Sequence, residues 1–169
     1  MDRASEESYC DFVVARRPGL VREAYLLVGD LQLAEDLVQT VLAKVYVAWH
    51  RVRASSAPDA YVRKILVNTN ISRHRHRARR VVEVLTDEPP DGLAPPQAPP
   101  EHPAVIEALM SLSPRQRTAI VLRFWDDLPE SAVADLMGCS VGSVRTHTAR
   151  ALARLRSTPD LRQLTMKEG

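Results

Sequence analysis

The sequence predicts an all-α protein made of two small helical domains that are joined by a proline-rich linker. Aromatic residues make up only 5% of the chain and only 6 residues are glycine, a composition that suits helices better than sheets. No stretch shows the alternation of β-branched residues, bounded by a short turn, that is typical of a strand. Residues 87–103 hold seven of the 12 prolines, and proline is excluded from helix interiors and central strands.

The charges are distributed in blocks, although the net charge is only +2. Residues 60–80 carry seven Arg or Lys and no acid, and residues 140–158 carry four Arg and no acid. Residues 83–101 carry five acids and no base. We therefore expect domains at residues 5–83 and 104–158, each with one basic block, and an exposed, acidic linker of polyproline character at residues 84–103.

Several classes of function lack any signal in the sequence. Cys10 and Cys139 stand far apart, outside any CxxC or Cys/His cluster, so we expect no metal site and no disulfide. No signal peptide and no apolar run of membrane-spanning length is found, which predicts a cytoplasmic protein with no membrane insertion of its own. No phosphate loop and no nucleophile with a paired base is found, so we expect neither an enzyme nor a cofactor.

The first domain is predicted to contain three helices. The first runs from Ser5 to about Val28, and Pro18-Gly19 should break or kink it. The second carries an apolar stripe at helical spacing, made of Ala34, Leu37, Val38, Val41, Val45, Ala48 and Trp49. The third starts at Pro58, since proline suits a first turn. Its inner face should consist of Tyr61, Val62, Ile65 and Thr69, and its outer face of Arg63, Asn70, His74 and Arg77.

The second domain is predicted from its helix boundaries. A short apolar helix over residues 105–112 comes first. Ser113 then caps the next helix, with Pro114 at the first position and Gln116 placed for a capping box. Gly138 should end the following helix in the left-handed conformation, and Ser140 should cap the last one.

Two short helices joined by the tight turn Gly138-Cys139-Ser140 indicate a helix-turn-helix. Ala134 is small where the two helices approach, and Val144 is apolar where the second helix packs back. On the last helix the core side should comprise Val141, Val144, Thr148, Ala151, Leu152 and Leu155. The opposite side comprises Gly142, Ser143, Thr146 and Arg150, flanked by Arg145, His147, Arg154 and Arg156. Helix N-terminal amides bind phosphate and arginines bind phosphate or guanine, so this pattern favours a DNA reader over a solvated arginine face.

Two further faces carry candidate sites. The helix over residues 60–80 is more basic than helix-dipole or solubility effects require, which indicates a nucleic-acid backbone surface. Asn68, Asn70 and Ser72 could bind base edges there, and His74 and His76 belong to the basic face. The preceding helix has an acidic and polar outer face that is either solvated or binds a protein, made of Glu35, Asp36, Gln39, Thr40 and Tyr46.

Three stretches resemble a known family. "AEDLVQTVLAKVYVAW" and "PDAYVRKILVNTNISRHRHR" resemble the core-binding and −10-binding helices of bacterial RNA polymerase sigma factors. "LSPRQRTAIVLRFWDDLPESAVADLMGCSVGSVRTHTARALARLR" resembles their C-terminal domain, which reads the −35 element. The two-domain size is similar to that of the extracytoplasmic-function (ECF) group, and "VNTNISRHRHR" resembles an actinobacterial subset of it.

The resemblance implies a sigma factor that binds core RNA polymerase and directs initiation at promoters. Core binding on the β′ clamp helices would fall to Asp36, Leu37, Gln39 and Thr40. The loop at residues 52–57 would hold a flipped base of the −10 element. The residues that contact −10 DNA would be Arg53, Ser55, Ser56, Arg63, Lys64, Asn68, Asn70, Arg73, Arg75 and Arg77. The second domain would lie on the β flap and read the −35 element with Ser140, Ser143, Arg145, Thr146, His147, Arg150 and Arg154.

The resemblance also implies an anti-sigma factor as an inhibitory partner, and a linker near the RNA exit path. The chain departs from the family at Thr40, often Glu, at Ser72, often Asp, and at Thr146-His147, commonly Ser-Arg. The alternative is a stand-alone helix-turn-helix regulator that dimerises through its N-terminal domain and binds palindromic half-sites. The basic helix over residues 60–80 argues against it, because a dimerisation domain has no use for that charge.

Overall fold

The computed structural model describes residues 1–80 and 103–158, and the chain within those ranges is helical without a strand. The first module, residues 1–80, consists of four helices. They are α1 (Arg3–Val28), α2 (Leu31–Val47), α3 (Trp49–Ala54) and α4 (Pro58–Arg80). The second module, residues 103–158, consists of α5 (Pro103–Met110), α6 (Pro114–Ile120), a π-helical segment (Val121–Trp125), α7 (Glu130–Met137) and α8 (Val141–Arg156). The all-α prediction is confirmed.

The first helix differs from its prediction. α1 runs without interruption from Arg3 to Val28 and contains Pro18 in its interior. Of the predicted break or kink at Pro18-Gly19, the break is therefore wrong. It begins under a cap from Asp2, whose side chain accepts from the Ser5 amide at 2.8 Å. Apolar residues on both sides of Pro18 pack against the core of the first module. This packing maintains the helix although an interior proline costs about 3 kcal/mol.

The core of the first module lies between α1, α2 and α4. The predicted stripe of α2 is fully buried in it: Leu37, Val38, Val41 and Val45 have no exposed surface. Trp49 closes one end, with the Phe12 ring centroid 5.1 Å away. This stripe continues past the end of α2 into α3, a helix that the sequence pattern did not predict.

The predicted helix caps of the second module are confirmed, whereas its first helix lies at Pro103–Met110 instead of the predicted residues 105–112. Ser113 and Gln116 form the complete capping box of α6. Gly138 has φ 64° at the end of α7, and the Ser140 side chain accepts from the Ser143 amide at the start of α8. Cys139 packs as a small side chain against the core of the helix-turn-helix.

The two modules pack against each other through two apolar clusters. Leu26 and Leu27 of α1 lie among Ile106, Leu109, Leu112, Ile120, Val121 and Ala151. Val67 of α4 lies among Ala119, Leu122, Val133, Ala134, Leu136, Met137 and Val144. Since Leu26, Leu27 and Val67 are at most 2% exposed, each contributes about 1.5–3 kcal/mol of apolar burial. We call this arrangement the closed state.

Helix α4 is consequently buried on two faces. Val62, Leu66 and Thr69 are buried on the side of the first module, whereas Val67 is buried on the side of the second. Asn70 is buried between the modules, where it lines clefts with residues of both. The predicted inner face is confirmed, since Tyr61 and Ile65 also pack against the core of the first module. The assignment of Asn70 to the outer face is wrong in this state, because the second module covers that face.

The modules also approach closely at Gly29. This residue ends α1 with φ 72°, in the left-handed region, and a Cβ added there would lie 2.3 Å from Met110 Sδ. The backbone conformation therefore favours glycine here, and any larger residue would also displace the flexible Met110 side chain. The predicted linker at residues 84–103 lies outside the described residues, apart from Pro103, which begins α5. In the described ranges, no helix combines the length and the apolar character needed to span a bilayer.

Candidate nucleic-acid interface

The helix-turn-helix presents α8 on a firmly packed support. Val144 and Ala151 have no exposed surface, and Ala134 of α7 is buried where the two helices approach. Gly138 satisfies the end of α7 by donating its amide to the Ala134 carbonyl. The turn and the buried side of α8 thus leave its N-terminal half projecting from the module.

The projecting side of α8 carries most of the predicted contacts. Arg145, Thr146, Arg150 and Arg154 are exposed, and Ser143 and His147 are half-buried. Ser140 is exposed but serves as the N-cap. Arg145 Nε lies 2.7 Å from Glu130 Oε2 of α7, and such an exposed pair holds its arginine weakly. Gly142 is exposed in the first turn of α8, where the Ser140 side chain already accepts from the Ser143 amide at 3.1 Å.

His74 and His147, one on each basic face, have lowered pKa values. Burial lowers the pKa of His147, and the nearby Arg115 and Arg150 lower it further. Burial likewise lowers the pKa of His74, with smaller effects from Arg117, Arg77 and Arg73. Both rings therefore act at neutral pH as hydrogen-bonding groups, and the positive charge of the two faces comes from arginine and Lys64.

The basic face of α4 is only partly exposed. Lys64, Asn68, Arg75 and Arg77 are exposed, and Arg73 is half-buried. Two predicted contacts are not available in the closed state. Asn70 is 3% exposed, and Arg63 lies between Glu23 and Asp126, with only a quarter of its side chain exposed. Both side chains face the second module, so they reach DNA only if the modules separate.

The predicted base-holding loop lies between α3 and α4. Val52 is buried and fixes the loop to the core, while Arg53 and Ser56 are exposed. Ser55 is half-buried, and its hydroxyl accepts from the Ala57 amide at 3.2 Å. Arg53 Nη1 donates to the Ser5 hydroxyl at 3.4 Å. The loop is therefore anchored at its start and open at its tip.

The outer face of α2 carries the predicted protein-binding residues, with one correction. Gln39 and Thr40 are exposed and Asp36 is half-buried, where its carboxylate accepts from Gln32 Nε2 at 3.1 Å. Leu37 has no exposed surface. Because Leu37 lies on the apolar stripe that faces the core, it supports this surface and cannot contact a partner.

The closed state brings residues predicted for two separate DNA elements into one cleft. The cleft has a volume of about 420 Å³ and is lined from α4 by Asn70, His74 and Arg75, and from α8 by His147 and Arg150. Two promoter elements that are separated along a duplex cannot both be read from one cleft of this size. In the closed state, residues predicted to contact the two elements therefore face each other across one cleft.

Sequence reasoning missed the polar residues that join the modules. Arg117 is 7% exposed and donates to the carbonyls of Leu109, Met110 and Leu112 near the end of α5, and to that of Leu27 near the end of α1. Glu23 is equally buried, beside Arg63 and Asp126. Arg117 and Glu23 each lie within an otherwise apolar helix face. A charged residue in such a position was the sequence signal that could have indicated a buried polar contact.

Comparison with protein-family models matches both modules. Residues 12–80 match the model described as sigma-70 region 2, and residues 102–155 match the model described as sigma-70, region 4. The chain is 36% identical to the RNA polymerase sigma-E factor of Streptomyces coelicolor, over 86% of this chain and 82% of the relative. It is 30% identical to the RNA polymerase sigma factor SigV of Bacillus subtilis, over 80% of this chain and 81% of the relative.

Solved structures share the fold of this chain. The sigma factor RpoE of Bartonella quintana, in complex with the anti-sigma factor NepR, superposes with a TM-score of 0.69 at 27% identity, over 89% of this chain and 95% of that one. CnrH in complex with the cytosolic domain of CnrY has the same fold, with a TM-score of 0.59 at 20% identity, over 92% of this chain and 90% of that one.

Proposed function

The chain belongs to the sigma-70 family of bacterial RNA polymerase sigma factors, in its extracytoplasmic-function group, and from this membership we propose which surface of the molecule performs each step of initiation. It is an alternative sigma factor that binds core RNA polymerase and directs promoter-specific initiation, and it is not an enzyme. The observation that carries the surface assignments is that each module has one basic helical face, on α4 in the first module and on α8 in the second. The first module also carries the acidic face of α2. The cytoplasm is its proposed location.

The second module reads the −35 element. Helix α8 enters the major groove with its N-terminal half, where Arg145, Thr146 and Arg150 are exposed. The amides at the helix start hold a backbone phosphate, and Arg150 reaches a base edge. Because His147 is neutral, it donates or accepts one hydrogen bond and adds no charge. The remaining proposed contacts to the −35 element are Ser140, Ser143 and Arg154, which surround this face of α8.

The first module reads and opens the −10 element. The open tip of the loop, with Arg53, Ser55 and Ser56, receives a base that leaves the stack. Extraction costs a few kcal/mol, so a pocket that favours one base both selects the sequence and starts melting. Lys64, Asn68, Arg73, Arg75 and Arg77 hold the exposed strand along α4, and Arg63 and Asn70 join them once the second module has moved away.

Core polymerase binds on the other side of the first module. Asp36, Gln39 and Thr40 present the acidic and polar face of α2 to the β′ clamp helices, over the buried Leu37. The second module meets the β flap. These contacts hold the modules apart, at a spacing that allows α4 and α8 to reach their two promoter elements together.

An anti-sigma factor is the proposed inhibitory partner. The solved relative with the higher TM-score is itself a complex of a sigma factor with an anti-sigma factor. A partner that binds both modules in the closed state would keep Asn70, Arg63 and part of α8 away from promoter DNA. The free energy of its binding would add to the free energy that the burial of Leu26, Leu27 and Val67 already contributes to the closed state.

Replacing Asp36 by alanine should weaken binding to core polymerase and leave folding intact. The side chain lies at the surface and its one hydrogen bond in the structure is to Gln32, so its loss costs the fold little. Fluorescence anisotropy of labelled protein titrated with core polymerase measures the change. Gln32→Ala is the matched control, because it removes the same hydrogen bond and keeps the carboxylate. Equal affinities of Asp36→Ala and the wild type would remove α2 from the core-binding surface.

Replacing Arg150 by alanine should impair use of the −35 element. The expected loss is about 1–3 kcal/mol if the guanidinium contacts a base, measured as initiation from promoters that differ only in the −35 block. Arg154→Ala, one turn further along α8, should weaken all sequences alike, as a phosphate contact does. A uniform loss for Arg150→Ala would instead reduce its role to a backbone contact.

A further inference from the structure

Three charged side chains meet where the two modules touch. Glu23 belongs to α1 and is 6% exposed. Arg63 projects from α4, with its Nε 3.6 Å from Glu23 Oε1 and its Nη2 3.4 Å from Asp126 Oδ1. Asp126 follows the π-helical segment and belongs to the second module. The cluster therefore exists only while the modules are closed.

The cluster contains more negative than positive groups. Two carboxyl groups share one guanidinium, so full ionisation would leave one excess negative charge in a buried position, which is costly. Within the described ranges, Glu23 Oε1, Arg63 Nε and Asp126 Oδ2 are buried without a hydrogen-bond partner. A proton placed between the two carboxyl groups would remove the excess charge and supply a hydrogen bond.

The ion pair of Arg16 and Asp59 lies at the rim of the cluster and adds no net charge to it. Arg16 and Asp59 line the same pocket of about 180 Å³, but they pair with each other at 2.5 Å and are both more than half exposed. Arg22 of α1 places its guanidinium 5.9 Å from the ring centroid of Trp125. The remaining surroundings of Glu23 in that pocket are apolar or small, namely Phe12, Gly19, Leu20 and Val62.

We infer that the contact between the modules is a proton-dependent latch, which closes with one proton held between the Glu23 and Asp126 carboxyl groups and opens when that proton is lost. The latch rests on the proposed function in one respect: the open state is the one that binds polymerase and promoter. It adds a regulatory input that needs no partner protein, since a rise in pH alone favours the open state.

The direction of the pH effect follows from the protonation of Glu23. Burial, followed by the nearby Asp126 carboxylate, raises the pKa of Glu23 to about 8, against the opposing effect of Arg63. Burial also raises the pKa of Asp126. When the modules separate, Glu23 meets water and its pKa returns toward 4.5. Between these two values the closed state binds an additional proton, so its stability is greatest at low pH and is lost as the pH rises through about 8.

The test measures the distance between the modules in the full chain, without polymerase or DNA. Dyes are attached to the native Cys10 on α1 and to A153C on α8, in a Cys139→Ser background, and energy transfer is recorded from pH 6 to pH 9. The open-to-closed ratio should rise by up to about tenfold per pH unit within the window. Energy transfer that is the same at pH 6 and pH 9 would overturn the latch.

Three variants identify the groups responsible. Glu23→Gln mimics the protonated carboxyl and should keep the modules closed at pH 9, with the pH dependence abolished. Asp126→Asn removes the other carboxyl and should also abolish it. Asp59→Asn, on the rim of the same pocket, should retain the wild-type profile. A wild-type profile in Glu23→Gln would refute the assignment. Because the readout involves no promoter, a failure here is distinct from a failure to support transcription.

Discussion

Replacing Arg117 by alanine should lower the free energy of unfolding by at least about 3 kcal/mol, since each buried carbonyl left without a donor costs about 1–3 kcal/mol. The guanidinium donates at 2.8 Å to Leu109, at 2.9 Å to Leu27, and at 3.0 Å to Leu112. The Leu109 and Leu27 carbonyls lie in the last turns of α5 and α1, where backbone acceptors have no partner within their own helix. The Arg117 side chain thus supplies donors to the C-terminal ends of both helices. The helix dipoles also favour a positive charge at these ends.

Urea denaturation measures this loss. Arg115→Ala is the control, since Arg115 lies on the same helix and is half-exposed, and it should change the free energy of unfolding by less than about 1 kcal/mol. The loss of unfolding free energy in Arg117→Lys should lie between those of Arg117→Ala and Arg115→Ala. The lysine ammonium retains the charge but lacks the planar guanidinium that reaches several carbonyls. A loss for Arg117→Ala no larger than that for Arg115→Ala would mean that these hydrogen bonds do not stabilise the closed protein.

Replacing Leu27 by lysine should open the molecule and leave the first module folded. Leu27 is 1% exposed and packs against residues of the second module, so the closed state would have to bury an unpaired ammonium. That cost is at least several kcal/mol, which shifts the open-to-closed ratio more than about 100-fold. Small-angle X-ray scattering should show a larger radius of gyration, with helix content by circular dichroism close to that of the wild type.

The same variant should also form holoenzyme faster, because it no longer has to open first. Val47→Lys is the matched control, as Val47 is an apolar residue on α2 that is 81% exposed, and it should leave the scattering unchanged. An unchanged radius of gyration for Leu27→Lys would show that the two modules are not held together by this cluster.

Local sequence signals predicted the helix boundaries well, because the atoms that end a helix belong to neighbouring residues. Ser113 with Gln116, Gly138, and Ser140 each satisfy backbone groups within four positions, and all are confirmed. The stripe on α2 was likewise predicted from helical spacing. The same spacing assigned Leu37 to the apolar stripe, and the structure places it in the core. Only the family resemblance assigned Leu37 to the polymerase-binding surface.

Long-range packing could not be predicted, and it accounts for the corrections. Asn70 and Arg63 have polar side chains on a basic helix, and nothing near them in sequence shows that a second module covers them. Pro18 predicted a break or a kink because it lacks a donor, but the apolar contacts on both sides of it keep α1 continuous. The roles of Arg117 and Glu23 depend on residues up to 90 and 103 positions away, which local pattern cannot reach.

Transcription in vitro with purified bacterial core polymerase and a promoter library tests the central claim most directly. The wild-type chain should form holoenzyme and select an asymmetric promoter with separate −35 and −10 blocks, and Arg150→Ala should change the selected −35 sequence alone. Failure to form holoenzyme, or binding of the chain by itself as a dimer to palindromic half-sites, would contradict the account.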